Sequence, residues 1–399
     1  MTIPCSIESE PRQRDRYAIV GVGNSDLGRV PGKDSLALLE QAMRRALADA
    51  GLRPSDIDGI VSRGPDDVYS HHQRMGQRLG INARFSTSLD NGGASQILGV
   101  VLAVMAIDAG LCSTVICGYG RNSWSRTHAT REARVQAELI PNEQLPREFA
   151  PEYGYYGAVG THALGARRHM HEYGTTREHL AQVAISFREH ALRNPEAVMK
   201  EPLSREDYFA ARFIADPYGL YDCSLNSDGA GAVIVTSAER ARDLKAPPVL
   251  IRGFGTFNNL RGWTADRNMV ETAAKGSGQT AYRMAGFTPD EIDTAQIYDC
   301  FTGMVIAQLE DYGFCAKGEG GPFVASGALK LGGRLPANTS GGQLSEAHVE
   351  GMLQIVEAAR QLRHTYPAER QVAGAETALV SGHGGNTVCH STLILRAGR

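Results

Sequence analysis

"AGLRPSDIDGIV" at residues 50–61 and "AGFTPDEIDTAQI" at residues 285–297 are one phrase written twice. Gly51 and Gly286, Pro54 and Pro289, Ile57 and Ile292, and Asp58 and Asp293 match at one constant offset. Each copy reads as a helix stop, a proline-bearing turn and the start of a short strand. Ahead of the first copy, "SLALLEQAMRRALADA" (Ser35 to Ala50) carries apolar residues at helical spacing, with Asp34 or Ser35 as cap. Further back, "YAIVGVG" (Tyr17 to Gly23) reads as a buried strand ending in glycines.

The echo continues downstream. "DNGGASQILGVVLAVMAIDAG" (Asp90 to Gly110) is a glycine turn running into a helix, and so is "TSGGQLSEAHVEGMLQIVEAARQL" (Thr339 to Leu362). "STVICGYG" (Ser113 to Gly120) and "TALVSGHG" (Thr377 to Gly384) are strands ending in Gly-x-Gly. Three matched units in one order imply a duplicated α/β domain. Residues 15–120 with 226–245 form the first half and residues 248–399 the second, the boundary falling in "RDLKAPPVLIRGFG". Residues 121–225 are an inserted loop region with a His-bearing amphipathic helix (His162 to Tyr173) and a second helix from Thr176 to Leu192.

The chain has 399 residues, 42% hydrophobic and 21% charged, enough to bury a large core. Lys and Arg number 41 against 44 Asp and Glu, and the net charge of −3 makes no case for a nucleic-acid partner. The seven cysteines are scattered, with no CxxC pair, which favours buried thiols in a reducing compartment. The N-terminus is polar, and the most hydrophobic run, Ile97 to Ile107, is about half the length a bilayer needs. A cytoplasmic protein is expected. "GVGNSDLG" (Gly21 to Gly28) has Asp26 where a dinucleotide fingerprint needs its third glycine. The two imidazoles of "HMHEYG", His169 and His171, point about 200° apart on a helix, so they do not make a metal pair.

In a duplicated α/β protein, ligands collect where strand ends and helix N-termini of both halves converge. Four glycine-rich stations qualify: Asp90–Gly93, "IYDCFTGM" (Ile297 to Met304), "NTSGGQLSEAH" (Asn338 to His348) and "SGHGGN" (Ser381 to Asn386). Together with "NSDGAGAVIV" and "EDYGFCAKGEGGPFV", they make the chain resemble the thiolase superfamily over about residues 15–395. The branch is that of the sterol-carrier-protein thiolases. The resemblance implies a thiolase fold, a duplicated αβαβα five-layered core, in a homodimer.

The departures from the family decide the chemistry. Where thiolases place a nucleophilic cysteine, this turn offers Asp90; the family's His-Asp-Cys-Phe histidine is Tyr298, and an imidazole remains at His348. Without a thiolate, acyl transfer through a thioester intermediate fails. The segments resemble a narrower group, the thiolase-like lipid-transfer-protein aldolases of steroid side-chain degradation. That resemblance implies retro-aldol cleavage of a β-hydroxyacyl-CoA with a tertiary hydroxyl to a ketone and a shorter acyl-CoA. It also implies a small zinc-ribbon/OB-fold partner. This chain itself would hold no metal and no cofactor, CoA entering as part of the substrate and any zinc belonging to the partner.

By the same resemblance, Tyr298 and His348 are the catalytic candidates. A free phenol ionises near about pH 10, so Tyr298 acts as a base only if its pKa is lowered or a relay partner helps. The related aldolases carry a second tyrosine in place of His348, which leaves the acid and base roles open. Asp90, Asp299, Cys300 and His383 are possible supporting residues: Asp90 is a turn or helix N-cap or a catalytic group; Asp299 orients backbone, packs beside Tyr298 or takes part in catalysis; Cys300 is a buried inert thiol or a reactive one beside Tyr298; His383 lines the pocket or faces solvent. Gly92, Gly93, Gly341, Gly342, Gly384 and Gly385 are the candidate backbone donors to a substrate oxyanion. Two rival readings stand beside the lyase: an acyltransferase with a non-standard nucleophile such as Cys300, and a non-catalytic acyl-CoA or lipid carrier.

Overall fold

The computed structural model describes residues 13–64, 68, 70–129, 157–259, 268–385 and 388–398. Part of the inserted loop region, residues 130–156, and Asn386 at the end of the last glycine station lie outside the described residues.

In chain order the strands are β1 (Tyr17–Asn24), β2 (Gly59–Arg63), β3 (Phe85–Ser88), β4 (Thr114–Asn122), β5 (Phe213–Ala215), β6 (Tyr218–Gly219) and β7 (Asp228–Ser237). They continue with β8 (Val249–Asn258), β9 (Thr294–Gln296), β10 (Thr377–Gly384) and β11 (Cys389–Ala397). β5 and β6 form a small ribbon; the rest run in the order β3-β2-β4-β7-β1-β8-β11-β10-β9. The duplication is written in this order. Outward from the β1–β8 seam, β1-β7-β4 and β8-β11-β10 are antiparallel steps, and β4-β2 and β10-β9 are parallel ones. Beyond β2 lies β3; beyond β9 the equivalent place holds one parallel bridge, Ala295 to Ala337. The halves meet at a seam of two residue pairs, Ala18 with Leu250 and Ile19 with Val249.

The repeated phrase folds the same way twice. Gly51 and Gly286 cap helices Ser35–Ala50 and Ala274–Ala285 at φ of 70° and 69°, a left-handed conformation that glycine adopts without a Cβ penalty. One 3₁₀ turn follows each, at Pro54–Asp56 and Pro289–Glu291. The repeated aspartates then do one job. Asp58 accepts from the N–H groups of Ser113 and Thr114 at 2.8 Å each, and Asp293 from those of Glu376 and Thr377 at 2.8 and 2.9 Å. Each carboxylate fixes the start of the strand that later ends at the site.

Three apolar clusters separate the layers. Helix Ser35–Ala50 packs on one face of the first half's strands through Leu39, Met43 and Ala46. Helices Ser95–Asp108 and Met352–Leu362 lie between the two sets of strands, sharing a core with residues of both halves. Helix Ser95–Asp108 touches β2 and β4 of its own half and β10 and β11 of the other, which explains why its sequence is apolar nearly all round. On the far side, helix Ala274–Ala285 shares a core with the inserted helices Gly157–Tyr173 and Arg177–Leu192. Among the described residues, no helix is long and apolar enough to cross a membrane.

One expected element differs. The stretch 339–362 is not a turn followed by one helix: a single helical turn at Gly342–Ser345 is followed by a break before Met352–Leu362. Glu350 and Gly351 in the break have φ of 47° and 84°, which a continuing helix does not allow.

Asp293→Ala removes a charged acceptor from the N–H groups of Glu376 and Thr377 at the start of β10. It is expected to lower unfolding stability by roughly 1.5–3 kcal/mol, read from urea denaturation midpoints.

Candidate active site

The segment after β9 is pinned at every backbone group that matters. Ile297 donates its N–H to Asn338 Oδ1 at 2.7 Å, and Tyr298 donates its own to Ser381 Oγ at 2.8 Å. Gln308 Nε2 donates to the Tyr298 carbonyl at 2.8 Å. Asp299, fully buried, accepts from the N–H groups of Gln343 and Leu344 at 3.0 and 3.1 Å and from Gln354 Nε2 at 3.0 Å. Burial pushes its carboxyl up to about 6 while these donors pull it back. Asp299 thus holds the "NTSGGQLSEAH" turn to the Tyr298 segment.

Tyr298 itself is 5% exposed, and its hydroxyl lies where a Cβ on Gly93 would stand. A side chain at 93 and this phenol cannot coexist. The turn around Gly93 meets the last glycine turn backbone to backbone: a Cβ on Gly92 would be 3.0 Å from Gly384 Cα, and one on Gly382 would be 3.1 Å from the Gly93 carbonyl. Cys389 Sγ donates to the Asn91 carbonyl at 3.2 Å, reinforcing the same contact. Gly92, Gly93, Gly384 and Gly385 therefore share one region with Tyr298. Gly341 and Gly342 stand elsewhere, packed against Ala191 and the Asp299 carboxylate, so they serve the supporting turn.

Of the two readings of Asp90, the structure shows the turn cap. The residue of the turn that faces Tyr298 is Gly93. The Asp90 side chain is 66% exposed, accepts from Gly92 N at 3.0 Å and pairs with Arg63 Nε at 2.9 Å. Burial alone would raise its pKa, but Arg63 and the Gly92 N–H outweigh that and hold it low. An aspartate two residues before a free N–H in a tight turn makes this local bond in preference to reaching a ligand.

His348 is buried. Its Nδ1 lies 3.3 Å from Ser224 Oγ, and its Nε2 has no hydrogen-bond partner among the described residues. Burial, followed by the charge of Arg121, pushes the imidazole down to about 3, so it is neutral at physiological pH. Two residues on, Glu350 pairs with Arg63, lies 3.6 Å from Arg121 Nη1 and accepts from Tyr119 Oη at 3.3 Å. Burial opposes its charge, and the two guanidiniums more than restore it. Arg63, Tyr119, Arg121 and Glu350 line a cavity of about 80 Å³. The charge of Glu350 acts on both Tyr298 and His348. For Tyr298, burial and then Glu350 drive the phenol well above its ordinary value. The pKa of Tyr298 is raised rather than lowered, so its phenol is protonated at neutral pH.

Cys300 and His383 are also buried. His383 Nε2 lies 3.1 Å from Nε2 of His162, which in turn is 4.0 Å from Cys300 Sγ. Burial pushes the Cys300 thiol well up, away from thiolate. The sequence reading passed over His162, Arg63, Arg121, Ser224 and Glu350. Arg63 ends β2 and Arg121 lies near the end of β4, the strand ends that the duplication marks as ligand-facing. Glu350 was two residues from a chosen histidine. What hid them is that the cluster is made only when residues from both halves meet.

Gly93→Ala should leave far-UV circular dichroism unchanged, because the turn's backbone is not left-handed at 93. The new Cβ must displace the Tyr298 phenol, and turnover should fall by about 10²-fold or more, the scale of losing a positioned proton-transfer group.

Residues 255–397 match the family described as thiolase C-terminal domain-like. A steroid side-chain-cleaving aldolase of Thermomonospora curvata is 36% identical over 394 residues, covering 96% of this chain and 98% of the relative. The 17-hydroxy-3-oxo-4-pregnene-20-carboxyl-CoA lyase of Mycobacterium tuberculosis is 36% identical over 392 residues, with 95% and 98% covered. Among solved structures, an Ltp2-ChsH2(DUF35) aldolase superposes with a TM-score of 0.87 at 35% identity, covering 97% of this chain and 99% of that one. Human mitochondrial 3-ketoacyl-CoA thiolase, at 16% identity and a TM-score of 0.70 over 96% of this chain and 99% of that one, shares the fold. Identity of this extent along nearly the full length of both partners settles the kinship: the chain belongs to the thiolase superfamily, among the aldolase-type lyases of its thiolase-like branch.

Proposed function

We propose that the chain cleaves a β-hydroxyacyl-CoA by retro-aldol chemistry, the substrate being a steroid side-chain thioester with a tertiary hydroxyl. The products are a ketone and a shorter acyl-CoA. The observation that carries the reading is the Tyr298 phenol seated beside Gly93, in the region where the glycine turns of the two halves touch. The names of the two curated relatives support the steroid side chain as the substrate class.

The proton inventory assigns the roles. His348, neutral and with Nε2 unpartnered among the described residues, takes the proton of the tertiary hydroxyl. The C–C bond electrons pass to the thioester as an enolate, and the carbonyl forms on the departing ketone. Tyr298, a protonated phenol, donates to the enolate carbon, and the imidazolium then returns its proton to the phenolate. The negative charge of Glu350 favours the imidazolium while it exists. The N–H groups of Gly93 and Gly385 are the candidate donors to the thioester oxygen; that of Gly92 is already given to Asp90. This reaction needs no cofactor beyond the CoA of the substrate. Cys300 is a poor alternative nucleophile, because its buried thiol stays protonated.

A homodimer working in the cytoplasm, with a small zinc-ribbon/OB-fold partner near the CoA, completes the proposal. The two-component title of the matched aldolase structure supports a second chain.

The test is the purified chain with its partner and a steroid acyl-CoA bearing the tertiary hydroxyl, followed by chromatography. Ketone release supports a lyase, whereas binding without release supports the carrier. Tyr298→Phe and His348→Ala should each lower kcat by about 10²–10⁴-fold with substrate binding retained; an unchanged kcat in Tyr298→Phe removes it from the mechanism. The pH profile gives a separate check. With His348 pushed down to about 3, its neutral, proton-accepting form persists on the acid side. The log of kcat/KM should show no inflection near about pH 6.5, where an ordinary imidazole titrates.

A further inference from the structure

The His162–Cys300–His383 cluster has no part in the proposed proton transfers. Its members come from three separate places: His162 from the inserted helix Gly157–Tyr173, Cys300 from the segment after β9, and His383 from β10. Their relative exposures are 2%, 8% and 3%, and their donor atoms all lie within 4.8 Å of one another. His162 Nδ1 sits 2.7 Å from the Ala158 carbonyl, an acceptor only, so Nδ1 carries the ring proton. Its Nε2 is therefore a lone pair aimed at the other two residues. A backbone carbonyl fixing the far nitrogen in this way is the usual arrangement behind a metal-bound imidazole. The rings are held from outside as well: Phe301 packs 4.7 Å from His162 and is stacked on Tyr218 at 5.2 Å.

We propose that His162, Cys300 and His383 form a binding site for one divalent cation of the borderline-soft kind, zinc foremost. Two imidazoles and a thiolate suit zinc by ligand type. Tetrahedral bonds of about 2.05 Å to nitrogen and about 2.3 Å to sulfur put the nitrogens about 3.3 Å apart and sulfur about 3.6 Å from each. The two Nε2 atoms stand at 3.1 Å; Cys300 Sγ, at 4.0 Å from His162 and within 4.8 Å of the His383 donor atom, needs to close by roughly 0.4 Å toward His162 and by up to roughly 1.2 Å toward His383. Binding replaces the Cys300 thiol proton and the Nε2 proton shared between the histidines; the His383 proton moves to Nδ1, and one proton leaves to solvent. Three protein ligands leave a fourth position for water or a substrate oxygen. The site lies behind the catalytic tyrosine, the His383 ring being 5.7 Å from that of Tyr298. The inference stands whether or not the proposed reaction is correct, since it concerns metal binding by this chain alone.

The experiment uses the full-length chain, tag-free, without its partner, stripped with a chelator and titrated with Co²⁺ alone. One equivalent should produce thiolate-to-cobalt charge transfer in the near ultraviolet together with visible d–d bands, and Zn²⁺ should displace it. Cys300→Ser should lose the charge-transfer band, and His162→Gln should weaken binding by more than about 100-fold, beyond what loss of a second-sphere partner costs. Circular dichroism establishes that each variant is folded; if one is not, the other is read. A folded wild-type chain that gives no charge-transfer band at saturating Co²⁺ overturns the proposal. So does a band undiminished in Cys300→Ser.

Discussion

Everything at this site depends on two turns that touch through bare backbone. Asn91–Gly93 enters the central helix of the first half, and Gly382–Gly385 ends β10 of the second. Between them there is no space for a Cβ at Gly92, Gly382 or Gly384 without moving main chain. Glycine is the only residue that permits such an approach, and at Gly92 and Gly385 it also supplies the positive φ that each turn requires. The contact draws the ends of both repeats together, and it leaves beside Gly93 the hollow that the Tyr298 ring fills.

Around that contact the charges are arranged in a chain. Asp90 holds Arg63, Arg63 holds Glu350, and Glu350 reaches Arg121 and Tyr119. A buried carboxylate alone would protonate; with two guanidiniums it stays ionised close to a neutral imidazole and a protonated phenol. Its backbone at φ 47° is a conformation that costs a non-glycine residue about 1–3 kcal/mol and survives where surrounding structure over-determines it. The Arg63 pair and the break before helix Met352–Leu362 supply that determination.

Much of this was legible in the chain, because the repeat is local. Gly51 and Gly286, Pro54 and Pro289, and Asp58 and Asp293 each act within or next to their own unit, so their spacing carries the fold. Tyr298 and His348 stood out through the segments around them. What stayed hidden depends on pairs far apart in sequence. Arg63 meets Glu350 across 287 positions and His162 meets His383 across 221, and no spacing rule connects them. Asp90 was legible as a turn cap because one of its partners is the N–H two residues away, whereas its pairing with Arg63 was not.

The Arg63–Glu350 pair joins a strand end of one repeat to the helix break of the other. Its meaning reaches past chemistry. An ancestral gene copied onto itself begins with two interchangeable units, and this pair ends that freedom. Severed from its twin, the second unit would be left with a stranded anion, while Arg63 in the first would keep only Asp90, so the two units no longer stand on equal terms.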